Sequence, residues 1–262
     1  MTNQLSKLKD TTPVSQLSLI GTHDSCTYGV KFPFKFTSRC QRLTLEEQLD
    51  MGVRYFDIRL NLVKGRLMAY HGLACCHISW VEIQCIFEKF LSENPKEIVF
   101  FRALRADDTF KTKVTDAEWV TAFHMEDRGR LWSCYNDDKI GELRGFAVCV
   151  NLMWQWMFPY YENKDYYNRA TRKGIADKKY SICLHSSYEA PSRLNIINFN
   201  SRGSIGCLPI PYPERFASKL SKEITELKGD IPVWCMFDFP ELFEHLFEGI
   251  LSRNEGFVDV SE

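Results

Sequence analysis

Short apolar runs alternate along the chain with longer stretches whose apolar residues recur every three or four positions. The runs predict strands at Leu17–Ile20, Val53–Arg59, Leu67–Tyr70, Ile98–Ala103, Phe146–Val150, Ser181–Leu184, Ile196–Phe199 and Val233–Phe237. Each is dense in residues that suit a pleated surface, and turn-like residues flank them. The longer period predicts helices. Trp80, Ile83, Phe87, Phe90 and Leu91 line one side of SWVEIQCIFEKFLSEN, with Ser79 placed to cap it and Pro95 just beyond. Phe216, Leu220, Ile224 and Leu227 repeat the pattern up to Gly229, and Leu242, Phe243, Leu246, Phe247 and Ile250 do so near the end. From Tyr160 to Lys179 the composition is polar and charged, which predicts a loop-rich insertion or a long surface connection.

Alternation of strands and helices implies an α/β fold with a mostly parallel sheet. About eight strands suit a closed (β/α) barrel. A doubly wound open sheet is the competing architecture, but no glycine-rich nucleotide loop follows the first strand. Neither repeat, low-complexity tract nor linker divides the chain, so residues 1–262 are expected to form a single domain.

Composition narrows the function classes. The 33 Lys and Arg nearly balance the 34 Asp and Glu, so no net field draws the protein to nucleic acid. No apolar run approaches the roughly 20 residues that span a bilayer, so membrane contact is expected to be peripheral. The polar start MTNQLSKLKD carries no leader pattern, and ten cysteines then fit a reducing, cytoplasmic setting better than a disulfide framework. Cys149 and Cys235, inside apolar runs, read as small hydrophobes. A monomer is expected.

Parallel α/β folds place their chemistry at the C-terminal ends of strands. Four such ends carry titratable groups: Gly21-Thr22-His23-Asp24-Ser25, Phe56-Asp57-Ile58-Arg59, Tyr70-His71-Gly72 and Met236-Phe237-Asp238-Phe239-Pro240. Strand parity sets Tyr55, Asp57 and Arg59 on one face and Phe56 and Ile58 on the other. Asp238 likewise shares its face with Trp234 and Met236. If the fully apolar faces pack on helices, the charged groups point into the barrel mouth, where each needs a partner. In a closed barrel the first and last strands are neighbours, so Asp238 is expected beside His23, with Asp24 reaching toward His71. The glycine of GTHDS is expected to let the chain turn. Two carboxylate-supported imidazoles facing a guanidinium can remove one proton, supply another and hold a phosphate oxygen between them.

These residues resemble phosphatidylinositol-specific phospholipase C, of the small bacterial, X-domain type. The matching stretches are LSLIGTHDS, EEQLDMGVRYFDIRL, YHG, LSENPKEIVFF, FNSRGS and WCMFDFPELFEHLFEGIL, in the family's order over nearly the whole chain. The resemblance implies a distorted TIM barrel that cleaves an inositol phospholipid to diacylglycerol and a 1,2-cyclic inositol phosphate. It implies His23 as general base, His71 as general acid, Arg59 on the phosphate, Asp238 behind His23, Asp24 behind His71 and Asp57 in a supporting role. Asp57 as a merely structural partner of Arg59 is the equal alternative. Calcium-dependent relatives have an acidic ligand where Arg59 stands here, so no metal or other cofactor is expected. Arg102 or Arg105, and Asp177, are the candidates for gripping the headgroup.

Simpler readings apply elsewhere. Cys75-Cys76-His77 lacks a second ligand pair at zinc-site spacing. His124, His185 and His245 read as structural. Lys31-Phe32-Pro33-Phe34-Lys35-Phe36 reads as a membrane-docking rim, whereas Trp154–Tyr161 divides between core and rim. The rival functions are a glycerophosphodiesterase or sphingomyelinase D-like barrel enzyme, and a catalytically inactive lipid-binding barrel.

Overall fold

Strand β1 (Leu19–Thr22) is buried at every residue, because it runs between two neighbours in the middle of the sheet. The computed structural model describes residues 4–106, 114–128, 131–133, 138–152, 155–156, 160–162, 170–187, 194–200 and 212–259. After β1 come helices α1 (Lys35–Ser38) and α2 (Leu45–Met51), then strands β2 (Tyr55–Val63), β3 (Arg66–His71) and β4 (Ala74–Ser79). Helix α3 (Trp80–Glu93) leads to β5 (Val99–Arg105), α4 (Asp116–Met125), β6 (Leu131–Ser133) and α5 (Ile140–Leu143). The chain continues through β7 (Ala147–Leu152), β8 (Gln155–Trp156), β9 (Tyr160–Glu162) and α6 (Arg172–Ser186). It finishes with β10 (Leu194–Asn198), α7 (Tyr212–Glu223), β11 (Trp234–Phe237) and α8 (Phe247–Leu251).

The parallel ladder runs β6-β7-β5-β2-β1-β11-β10-β9, a distorted barrel wall in which the first and last strands are partners. Register places Gly21 opposite both Tyr55 and Met236, and Thr22 opposite both Phe56 and Phe237. Alternation then sorts the side chains as parity predicts. Leu19, Tyr55, Phe100, Val148, Ile196, Trp234 and Met236 fill the interior, where the Trp234 ring lies 5.0 Å from both Tyr55 and Phe100. Phe56, Phe101 and Phe237 belong to the outer cluster, against Phe87, Trp80 and Phe243. The same strands therefore serve two cores, and their apolar content on both faces follows.

Helix starts are written in the local sequence. Thr44 with Glu47, Ser79 with Glu82 and Thr115 with Glu118 each form a capping box that satisfies otherwise orphaned backbone donors. At the end of the barrel away from the site, Arg54 Nε donates to Glu97 Oε2 at 2.7 Å, both fully buried, while Arg54 Nη1 donates to the Leu49 and Val53 carbonyls. The Arg54 guanidinium also sits 4.5 Å from the Phe90 ring centroid, which ties α2, β2 and α3 to one point.

Three expectations change. Ser181–Leu184 is not a strand but part of α6, whose buried residues include Ile175, Lys178, Ile182 and His185. That is a helical period carried partly by polar residues, so the four-residue apolar run stands out as strand-like while the real pattern is hidden. The polar insertion correspondingly contains β9 and the first half of α6. The apolar stretch at Leu242–Ile250 forms two short 3-10 turns before α8 rather than one helix. Finally, β2 runs on to Val63, turns through Lys64 and Gly65 at positive φ, and returns antiparallel as β3. β4 then pairs antiparallel with β3. His71 thus ends a strand that descends back to the barrel mouth, not a parallel barrel strand. Trp154–Tyr161 lies outside the residues whose side chains are described.

Candidate active site

His23 follows β1 directly, and its backbone N–H continues the ladder onto the Phe237 carbonyl at 3.0 Å. Asp24 then takes φ 45°, a left-handed conformation that aspartate tolerates better than most residues, and this turns its side chain back across the strand ends. The turn is pinned to β2. Ser25 N donates to the Asp57 carbonyl at 3.0 Å, Asp57 N donates to Ser25 Oγ at 2.9 Å, and Asp24 N donates to Asp57 Oδ2 at 3.1 Å.

The glycine of GTHDS has a different task from the expected one. Gly21 lies inside β1, and a Cβ there would come within 2.8 Å of Tyr55 Cδ1 and 3.0 Å of the Tyr55 carbonyl oxygen. It is glycine because β2 packs too close for any side chain; the turn belongs to Asp24.

Two carboxamides that the sequence did not flag brace the loop. Gln41 Nε2 donates to the His23 and Phe237 carbonyls at 2.7 and 2.9 Å. Gln48 Nε2 donates to the Ser25 and Leu43 carbonyls at 2.9 and 2.8 Å, and its Oε1 lies 2.8 Å from Thr22 Oγ1. Gln48 had a legible signal, being a polar residue on the buried Leu45–Leu49 face of α2. Gln41, in a loop, had none.

Around this frame the charged groups converge. His23 Nδ1 lies 2.8 Å from Asp238 Oδ1, so the ring proton sits on Nδ1 and Nε2 faces the site. Arg59 Nη2 donates toward His23 Nε2 at 2.9 Å, while Asp24 Oδ2 stands 3.2 Å from the same nitrogen. The guanidinium calls for a lone pair on Nε2, and the carboxylate calls for a proton. His71 Nδ1 lies 2.7 Å from the Ser38 carbonyl, and a carbonyl only accepts, so Nδ1 carries a proton. Its Nε2 is 3.3 Å from the same Asp24 Oδ2. One carboxylate oxygen therefore lies within 3.3 Å of both imidazole Nε2 atoms.

Arg59 Nε pairs with Asp24 Oδ1 at 2.8 Å, and its Nη2 with Asp57 Oδ2 at 3.1 Å. Arg102 Nε donates to Asp57 Oδ1 at 2.8 Å, so Asp57, fully buried, is shared between two guanidiniums. Arg102 thus joins the cluster. Arg105 instead pairs with Asp116 at 2.7 Å and donates to the Val114 carbonyl, and Asp177 is exposed on α6; neither is brought to these residues.

Electrostatics follow from these contacts. Burial disfavours the His23 imidazolium, but the Asp24 and Asp238 carboxylates outweigh it and the pKa is raised above 6.5. Burial would likewise favour a neutral Asp24, yet Arg59, His23 and His71 hold its pKa below the usual carboxylate value. Against its own complete burial, Asp57 is held well below that value by Arg102 and Arg59. The Cys40 thiol, buried beside Asp238 and Asp24, is pushed well above its ordinary value.

Ligand atoms converge too. His23, Cys40 and Asp238 offer atoms within 4.8 Å of one another, as do Asp24, Cys40 and His71, and His23, Asp24 and Asp57. The adjoining segment Lys31–Phe36 projects outward, with Phe32 75% and Phe34 40% exposed.

No family model matches the chain. A 1-phosphatidylinositol phosphodiesterase of Listeria monocytogenes is 36% identical over 101 residues, 37% of this chain and 31% of that protein. The first curated relatives are matched over only 22% to 37% of their own lengths. Among solved structures, the phosphatidylinositol-specific phospholipase C of Listeria monocytogenes superposes with a TM-score of 0.71 at 20% identity, covering 96% of this chain and 98% of that one. A Staphylococcus aureus phosphatidylinositol-specific phospholipase C, solved in a study of its membrane binding, gives 0.70 at 17% identity, covering 95% of this chain and 96% of that one. The relatives carry the name of the family that the motifs resemble, and the structures share the fold.

Proposed function

We propose that the chain cleaves the phosphodiester of phosphatidylinositol, or of a close relative, by general acid–base catalysis without a metal. The observation that carries this reading is the single Asp24 oxygen within 3.3 Å of both His23 Nε2 and His71 Nε2, with Arg59 beside it. His23, its Nδ1 proton fixed by Asp238, accepts the proton of the inositol 2-hydroxyl at Nε2. That oxygen forms a new bond to phosphorus. The bond to the glycerol oxygen breaks, and the protonated His71 delivers its Nε2 proton to that oxygen, releasing diacylglycerol. The other product is the 1,2-cyclic phosphate. Arg59 donates to a phosphoryl oxygen and neutralises charge as it grows there.

Asp57 and Arg102 act as positioning residues, holding Arg59 in place through Asp57. The fixed Arg59 charge lies within the cluster a cation would otherwise fill, which supports a metal-free reaction. Access to the lipid is by peripheral contact. Exposed Phe32 and Phe34 flanked by Lys31 and Lys35 suit a bilayer surface, and no helix among the described residues is long and apolar enough to cross one.

The test is diacylglycerol release from phosphatidylinositol vesicles with and without chelator. Release in both conditions, with a cyclic first product, is the expected result. Vesicle binding without turnover would establish the inactive lipid-binding barrel instead. Release that chelator abolishes would overturn the metal-free part, and cleavage without the cyclic inositol product would favour the glycerophosphodiesterase or sphingomyelinase D type.

A further inference from the structure

We propose that Asp24, Cys40 and His71 form a binding site for a thiophilic divalent cation, zinc, and that its occupancy shuts the site down. The binding stands on geometry alone; the inhibition rests on the functional reading above.

Three features point to zinc at this trio. The ligand atoms all lie within 4.8 Å of one another, and Asp24 Oδ2 is already 3.3 Å from His71 Nε2. Tetrahedral bonds of 2.0 to 2.3 Å separate neighbouring ligands by about 3.3 to 3.8 Å, so closure on an ion needs only small side-chain shifts. The second feature is tautomer control. The Ser38 carbonyl holds the His71 proton on Nδ1, which leaves the Nε2 lone pair of the neutral ring facing Asp24. A metal-bound histidine is oriented in just this way by a carbonyl behind it. The third is the division of labour at Asp24, which keeps Oδ1 on Arg59 while presenting Oδ2 to the trio.

The thiol decides which cation. Cys40 is buried, and its Sγ–H reaches toward the Ser38 carbonyl at 3.9 Å. Such a thiol is a poor nucleophile toward oxidants. A borderline-soft ion that displaces the proton is a different matter, because its positive charge bonds the thiolate and offsets the nearby carboxylates. Calcium and magnesium prefer oxygen ligands and gain nothing from sulfur. Access is through His71, whose side chain is 28% exposed, whereas the parallel trio at His23 is closed by the 2.8 Å contact with Asp238. Binding releases two protons to solvent, one from the Cys40 thiol and one from Nε2 of the His71 imidazolium, and leaves His71 a neutral ligand. The group that supplies the leaving-group proton is thereby removed.

The experiment uses the full chain with Cys75, Cys85 and Cys183, the thiols at least partly exposed among the described residues, changed to serine, together with Cys134 and Cys207, which lie outside the described residues. Titration with cadmium, a zinc surrogate whose thiolate complex absorbs in the ultraviolet, should give the charge-transfer band with one equivalent bound. Cys40→Ser should abolish the band. It should also weaken zinc binding, measured by competition with a chelating dye, by more than the roughly 10- to 100-fold expected for loss of an outer partner. His71→Asn should weaken zinc binding while leaving a cadmium–sulfur band. Zinc should inhibit lipid cleavage, each protein being compared with its own chelator-treated rate, and inhibition should be lost in Cys40→Ser. A band that survives Cys40→Ser, with circular dichroism confirming the fold, overturns the site. A zinc-loaded chain that cleaves at its full rate overturns the inhibition. A chain that binds zinc through Cys40 but never cleaves inositol lipids overturns the functional reading and leaves the site standing.

Discussion

His23 sits between two demands. Arg59 donates to its Nε2, favouring the neutral ring, while Asp24 and Asp238 favour the imidazolium, and the carboxylates win. The free protein therefore holds His23 charged at pH values just above 6.5, and the base form appears only as pH rises further. The acid limb of kcat/KM is expected above that value, in a bell-shaped profile whose limbs belong to the coupled imidazoles. In Asp238→Asn one of the two carboxylates that raise the pKa is gone while Asp24 remains, so the acid limb should move to lower pH. The plateau should fall on the order of 100- to 10,000-fold, because the ring loses its oriented proton. An unshifted limb in a stopped-assay pH series would contradict the pairing. Stability carries the same signs. The His23 contribution is complete below 6.5 and is lost as pH rises through its raised native value; the Asp24 and Asp57 contributions are lost as pH falls through their lowered ones. At this scale the sequence was legible because strand parity and the four strand ends fix which charged groups can meet. The braces were not legible, since Gln41 acts through two backbone carbonyls distant in sequence.

Elements show where a local pattern misleads. Strand β1 is short, and its glycine reads as punctuation, yet the space it leaves belongs to the Tyr55 ring and carbonyl. Gly21→Ala is expected to destabilise the fold by about 1 to 3 kcal/mol, since backbone as well as side chain must move. A denaturation midpoint equal to wild type would refute this close-packing role. Helix α6 shows the reverse failure, because Lys178 and His185 occupy its buried face and erase the apolar stripe that would have announced it. The β2–β3–β4 arm could not be read as such, for a period of two gives no strand direction. Its consequence is positional, since it carries His71 down to the mouth and onto the Ser38 carbonyl at the end of α1. The same segment exposes Phe32 and Phe34. Phe32→Ser with Phe34→Ser should lower vesicle affinity and activity on vesicles severalfold while sparing cleavage of a soluble inositol phosphodiester. Equal losses on both substrates would remove the docking role.

The molecule as a whole divides into a site end and a stability end. The cluster of charged side chains lies where β1, β2 and β11 stop, at the C-terminal ends of parallel strands, and the buried Arg54–Glu97 pair anchors the opposite end. Removing one partner strands a buried charge, so Glu97→Gln should cost about 3 to 5 kcal/mol in chemical denaturation. Near-neutral cost would mean that Arg54 is satisfied by the carbonyls alone. The alternation of elements was enough to indicate a barrel, and the adjacency of first and last strands followed from closure. Strand β3 was readable at Leu67–Tyr70 but its antiparallel direction was not, and the strands β6, β8 and β9 were not readable, being short or set in polar sequence.

The division of labour between the two imidazoles is tested most directly with a soluble inositol phosphodiester whose leaving group is p-nitrophenolate, which departs without a proton. His71→Ala should retain most of its activity on this substrate while losing cleavage of phosphatidylinositol, and His23→Ala should lose both. Equal losses in the two variants on both substrates, or rescue of His23→Ala alone, would contradict the assignment of base and acid.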